Sequence, residues 1–181
     1  MTPLEWLHIT TLIAGPADEI ASDEMKGMLA NAEQSLSKTL PITVSLGRIL
    51  YHPEAIVLDI RPDHALDPIR EAAQSATDAV IGRHRVTETS AALWMPHITV
   101  CYSTARQPAE PVISALGKRL PGCEITVDSL SLVVQRGPER LWEWQHVGTA
   151  HLRGVHSRAG AGHEGLSGGD RPELGCLECD R

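Results

Sequence analysis

The chain has 181 residues, 42% of them hydrophobic and 22% charged, which suits one domain with a real core and a tail. Sixteen Lys+Arg against 23 Asp+Glu leave a net charge of −7, excluding a uniformly basic nucleic-acid-coating protein but not a small basic groove. No apolar run approaches the roughly 18 residues of a membrane span, the N-terminus lacks a basic-then-apolar signal pattern, and four Cys (Cys101, Cys123, Cys176, Cys179) are too few for a disulfide scaffold; the expectation is a cytoplasmic monomer without membrane association.

In chain order, Trp6–Leu12 is a β-favouring run. Ser22 or Asp23 caps a helix with Met25, Met28, Leu29, Ala32 and Leu36 on its apolar face, ended by Pro41. Ile42-Thr43-Val44, with Leu46 and Ile49 after it, leads through a turn at His52-Pro53-Glu54 to the strand Ala55–Ile60. Asp67 caps a second helix with Pro68 at its first position and a stripe of Ile69, Ala73, Ala76 and Val80, stopped at Gly82. A polar loop with Arg83, His84 and Arg85 joins this half to the next. There Met95–Cys101 reads as a strand, and Pro111–Leu120 as a helix with Val112, Ile113, Leu116 and Leu120 inward. The remaining strands are Ile125-Thr126-Val127 with Leu130–Val134, a turn at Gly137-Pro138-Glu139, and Leu141–Val147.

Periodicity fails after about Leu152, so residues 153–181 read as a disordered Gly-rich tail on a folded domain of 1–152. Residues 1–152 carry 12 Lys+Arg and 18 Asp+Glu, so the acidity belongs to the folded part. Gly160–Gly165 spells G-x-G-x-x-G, but without the flanking strand and helix that would make it a phosphate cradle. Cys176-Leu177-Glu178-Cys179 is a lone C-x-x-C with no second pair to complete a zinc site. No metal site and no cofactor are expected.

The folded part repeats. His8-Ile9-Thr10 and His97-Ile98-Thr99 each sit in a β-favouring run, followed by a helical stretch, an Ile-Thr-Val strand and a Pro-Glu turn. From His to Ile-Thr-Val is 34 residues in the first half and 28 in the second. This is a duplicated lobe: an α+β, bilobal, pseudo-twofold fold of two antiparallel sheets lining a central cleft with helices outside. The lobes are roughly 1–60 plus C-terminal strands, and 83–152.

On a strand, residues i and i+2 share a face, so His8 pairs with Thr10 and His97 with Thr99. A twofold axis between the lobes brings two imidazoles and two hydroxyls to one point. Phosphodiester cleavage wants this set. One imidazole accepts a proton and the other donates one, each role worth about 10²–10⁴ in rate, while Thr hydroxyls hold non-bridging phosphate oxygens without the repulsion a carboxylate would bring.

On these two motifs, with Pro96 before the second His, residues 1–152 resemble the two-histidine (2H) phosphoesterase superfamily, in its 2′-5′ RNA ligase or RNA 2′,3′-cyclic phosphodiesterase branch. The resemblance implies catalytic His8 and His97, one as general base and one as general acid, and phosphate-binding Thr10 and Thr99. It implies RNA 2′,3′-cyclic phosphates or 2′-5′-linked oligonucleotides as substrates, with no metal required. Small cyclic nucleotides or ADP-ribose cyclic phosphate are the alternative, and a silent RNA-end or nucleotide-binding module a further one. Members of that family place a strand and a helix before the first motif. Here seven residues precede His8, so either the start lies upstream of Met1 or the first lobe lacks those elements.

Further substrate contacts are candidates only. Tyr102 and Trp144 are aromatics able to stack on a base, although strand parity puts Tyr102 off the catalytic face. Arg48 and Arg136, at near-equivalent places in the two halves, and Arg140 are candidate cations for RNA phosphates.

Overall fold

The computed structural model describes residues 1–82, 94–136 and 144–154. The joining loop with Arg83, His84 and Arg85, the second hairpin turn with Arg140 and Trp142, and the tail from residue 155 with its G-x-G-x-x-G and C-x-x-C sequences lie outside the described residues. The elements are α1 (Ser22–Leu36), β1 (Ile42–Tyr51), β2 (Ala55–Arg61), α2 (Asp67–Ile81), β3 (His97–Tyr102), α3 (Glu110–Leu116), β4 (Arg119–Val127), β5 (Ser129–Gln135) and β6 (Trp144–His151). The strands form two antiparallel sheets, one ordered β3-β2-β1-β4 and the other β5-β6.

Local chemistry explains the helix ends. Ala21, rather than Ser22 or Asp23, precedes α1, and the Glu24 carboxylate accepts the Ala21 N–H at 2.8 Å; Asp23 and Glu24 both favour the positive end of the helix. The cap of α2 is likewise one residue earlier than expected, at Leu66, with Pro68 in the first turn and Gly82 at the end. The third helix is shorter than its apolar pattern suggested. It stops at Leu116, and Leu120 already belongs to β4. Leu116 and Leu120 are 46% and 44% exposed rather than inward, because Gly117, at φ +70°, turns the chain out of the helix.

The repeat has a physical counterpart in the strand register. The two Ile-Thr-Val tripeptides pair with each other: Ile42 opposes Val127, Thr43 opposes Thr126, and Val44 opposes Ile125. The Thr43 and Thr126 hydroxyls lie 3.1 Å apart. Equivalent residues thus exchange partners about a centre between the two threonines, as a twofold axis requires. The chain then leaves the larger sheet at Asp128 and enters the smaller one at Ser129.

One apolar cluster joins both sheets to α1 and α2. It includes Leu36, Val44, Ile60, Ile69, Val127 and Leu130. α1 approaches β6 closely at Gly148, where an added Cβ would lie 2.6 Å from Leu29 Cδ1 and that side chain would have to move. Ile60 on the inner strand β2 is 1% exposed. Ile60→Ala is expected to lower unfolding free energy by about 2–5 kcal/mol in urea denaturation; a loss under about 1 kcal/mol would mean that this cluster is not packed as described.

Candidate active site

Ile9 and Ile98, the middle residues of the two His-Ile-Thr motifs, are 0% and 3% exposed and belong to the same core cluster. The segments around them are tied at both ends. The Thr2 N–H donates to the Val100 carbonyl at 3.0 Å, and the Trp94 indole N–H donates to the Thr10 carbonyl at 3.1 Å. Thr2 beside Val100 and Thr10 beside Trp94 make the two segments antiparallel, with His8 and His97 both between the tie points.

The two motifs are not conformational copies. His97-Ile98-Thr99 opens β3, where Ile98 and Val100 pack into the core and His97 is exposed, although Thr99 is buried and the register shifts beyond it. The first motif was expected on a strand as well, but residues 7–16 carry no strand, and alternation fails there. His8 and Ile9 are both buried, as are Thr11 and Leu12. The reason is packing on both sides: Ile9 enters the main core, whereas Leu12 enters a second cluster with Ile20, Met28 and Ile81.

The imidazoles are nevertheless held alike. His8 Nδ1 lies 2.7 Å from the Trp6 carbonyl, and His97 Nδ1 lies 2.9 Å from the Met95 carbonyl. In each case the partner is the carbonyl two residues earlier. A carbonyl oxygen can only accept, so Nδ1 carries the hydrogen in both rings, and Nε2 is the atom at which each gains or loses its exchangeable proton. His8 is further fixed by an edge-on contact with Trp144, ring centroids 5.2 Å apart, and Trp144 in turn meets Trp6 edge-on at 4.8 Å.

Beside His97 the larger sheet carries charge. Asp59 on β2 is the register partner of His97 and is buried, so the two side chains stand on one face. Asp59 Oδ2 accepts from Arg61 Nε at 2.9 Å, and Arg61 also bonds Asp63. The hydrogen bond to Asp59 is the main cause that raises the Arg61 pKa above its ordinary value, so this guanidinium is permanently charged. Next to Asp59 runs an open groove of ≈ 500 Å³ lined by Ser45, Arg48, Asp59, Arg61, Arg119 and Leu120, among others.

The other candidates separate. Trp144 belongs to the surroundings of His8. Arg48 lines the groove. Arg136 lies just beyond β5, where its guanidinium donates to Gln145 at 2.9 Å. Tyr102 is at the far end of β3 from His97, five residues or about 16 Å along a strand. Thr99 is buried and Thr10 half-buried. Sequence reasoning missed Trp6, Asp59 and Arg119. Asp59 left a trace, as a lone carboxylate between Leu58 and Ile60 in an otherwise apolar strand. Arg119 left none, because it falls in a stretch read as helix.

A family model described as the 2′-5′ RNA ligase superfamily matches residues 1–139. The fold is similar to the crystal structure of TT0787 of Thermus thermophilus, with a TM-score of 0.61 and 18% sequence identity over 86% of this chain and 82% of that one. No curated protein matches the sequence.

The shared Nδ1 bonding carries its own test. In nitrogen NMR spectra above the titration range of the rings, both His8 and His97 are expected as Nδ1–H tautomers with an unprotonated Nε2. An Nε2–H signature at either ring would contradict the carbonyl bonds that orient it.

Proposed function

The chain belongs to the 2′-5′ RNA ligase superfamily, a group of phosphodiesterases and ligases, and from that premise we propose that it is a metal-independent phosphodiesterase acting on RNA 2′,3′-cyclic phosphate or 2′-5′-linked ends. The observation that supports this reading is the antiparallel tie between the two motif segments, which keeps His8 and His97 between the Thr2–Val100 and Thr10–Trp94 hydrogen bonds.

In the proposed reaction one imidazole takes a proton from water through Nε2 as the water oxygen bonds to phosphorus. The phosphorus bond to the 2′ or 3′ oxygen of the ring breaks, and the departing oxygen receives a proton from Nε2 of the other, charged imidazole. Product release leaves each ring in the other's starting state. With a 5′-hydroxyl in place of water the same transfers make a 2′-5′ bond, and reversal cleaves it. Thr10 and Thr99 supply hydroxyl donors for the non-bridging oxygens, where negative charge must be held in the transition state. Fixing each ring through Nδ1 keeps its Nε2 from swinging away, which is the orientational part of the rate enhancement.

The acidic balance of −7 favours a second reading in which the substrate is a small cyclic nucleotide, since a long RNA wants a basic track.

His8→Ala and His97→Ala are each expected to lower the turnover of a 2′,3′-cyclic phosphate by at least about 10², with the double variant losing little more, because the two rings act as a unit. The pH–rate profile is expected to be bell-shaped near neutrality, and EDTA to be without effect. Full activity in either single variant would end the two-histidine reading.

A further inference from the structure

The groove beside Asp59 exists because β1 is irregular. Leu46 opposes Ile60 and Ile49 opposes Leu58, so Gly47 and Arg48 together face the single residue Asp59, which is a β-bulge. In an unbroken strand Arg48 would share the face of Leu46, which packs against the core. The extra residue inverts that parity and turns Arg48 into the groove. Gly47 permits it with φ +155°, a backbone conformation that side chains disfavour.

On the other side of β1, Leu120, Pro121 and Gly122 together face Gly47, and this second irregularity, in β4, sets Arg48 directly opposite Arg119. Like charges paired across strands repel, and among the described residues neither guanidinium has a carboxylate within ion-pair distance. Arg61, in the same lining, is already paired with Asp59 and Asp63, which leaves Arg48 and Arg119 as the uncompensated charges there. Asp59 Oδ1, buried in the same lining, has no hydrogen-bond partner among the described residues and calls for a donor. A convergent set of cations with one unsatisfied acceptor suits a phosphate attached to something bearing a hydroxyl or amino hydrogen, as a nucleotide does. Arg48 lies two strands from His97, about 10 Å at the level of the backbone, beside the reacting group and not on it.

We propose that the Arg48–Arg119 groove holds a second phosphate of the substrate, the phosphodiester on the 5′ side of a terminal 2′,3′-cyclic phosphate, with Asp59 accepting from the intervening nucleotide. The inference rests on the phosphodiesterase reading above and narrows its substrate to an RNA end of at least two nucleotides. It also reconciles an acidic chain with RNA, because two arginines without a carboxylate partner face each other in one groove.

The test compares three ligands: a cyclic-phosphate mononucleotide, the same compound with a 5′-phosphate, and a dinucleotide with a terminal cyclic phosphate. Each is bound at equilibrium to wild type and to R48Q/R119Q, and turnover is followed in parallel. Wild type is expected to bind the dinucleotide at least about tenfold more tightly than the mononucleotide, and R48Q/R119Q to lose that preference. Salt should weaken dinucleotide binding less steeply in R48Q/R119Q than in wild type, because two of the screened charge contacts are gone. R119Q alone, at an exposed position, should show part of the loss and serves if the double variant does not fold. Equal gain from the 5′-phosphate would overturn the RNA assignment in favour of a small bisphosphorylated nucleotide. Equal affinity of wild type for all three ligands, or an undiminished preference in the variants, would overturn the groove itself. Binding preference without turnover of any ligand would instead count against the phosphodiesterase reading and leave the groove standing.

Discussion

Two buried isoleucines and two hydrogen bonds hold the candidate site together. Ile9 and Ile98 share one core, while Thr2–Val100 and Trp94–Thr10 bonds bind the segments that carry them. Neither histidine sits on a flexible loop tip. Each directly precedes a residue that cannot leave the core without exposing a large apolar side chain, at a cost of about 1.5–3 kcal/mol. Rigidity of this kind is what acid–base chemistry at a single phosphorus needs, since an error of about 1 Å in placement can lose two orders of magnitude in rate.

The twofold logic of the fold and the asymmetry of the site belong together. The Thr43–Thr126 pairing relates the two halves, and each histidine bonds the carbonyl two residues earlier. Their surroundings differ: His8 is enclosed by Trp144 and Trp6, whereas His97 stands beside Asp59 at the rim of an arginine-lined groove. Duplication thus supplies two imidazoles held in the same way, and divergence of their neighbours leaves them in unequal surroundings.

Much of this was legible in the sequence, and the misses have physical causes. The repeated His-Ile-Thr, Ile-Thr-Val and Pro-Glu signals disclosed the duplication, and apolar periodicity located the helices, because both depend on local spacing. The strand expected at His8 failed because alternation presumes one wet face, and Ile9 and Leu12 enter different clusters. The third helix was overextended because Leu116 and Leu120 fit a helical stripe, although Gly117 between them ends it. The groove was invisible for a deeper reason. Arg48 and Arg119 are 71 residues apart in sequence, and only a bulge and a register shift, neither readable from spacing, set one against the other.

The proposed activity requires both imidazoles to address the same phosphate. Its most direct measurement is an NMR titration of the full chain with a nucleoside 2′-monophosphate, following the ring signals of His8 and His97 together. A single bound ligand that shifts both rings with one dissociation constant is the expected result. Movement of one ring alone, or two rings responding with unrelated constants, would contradict it.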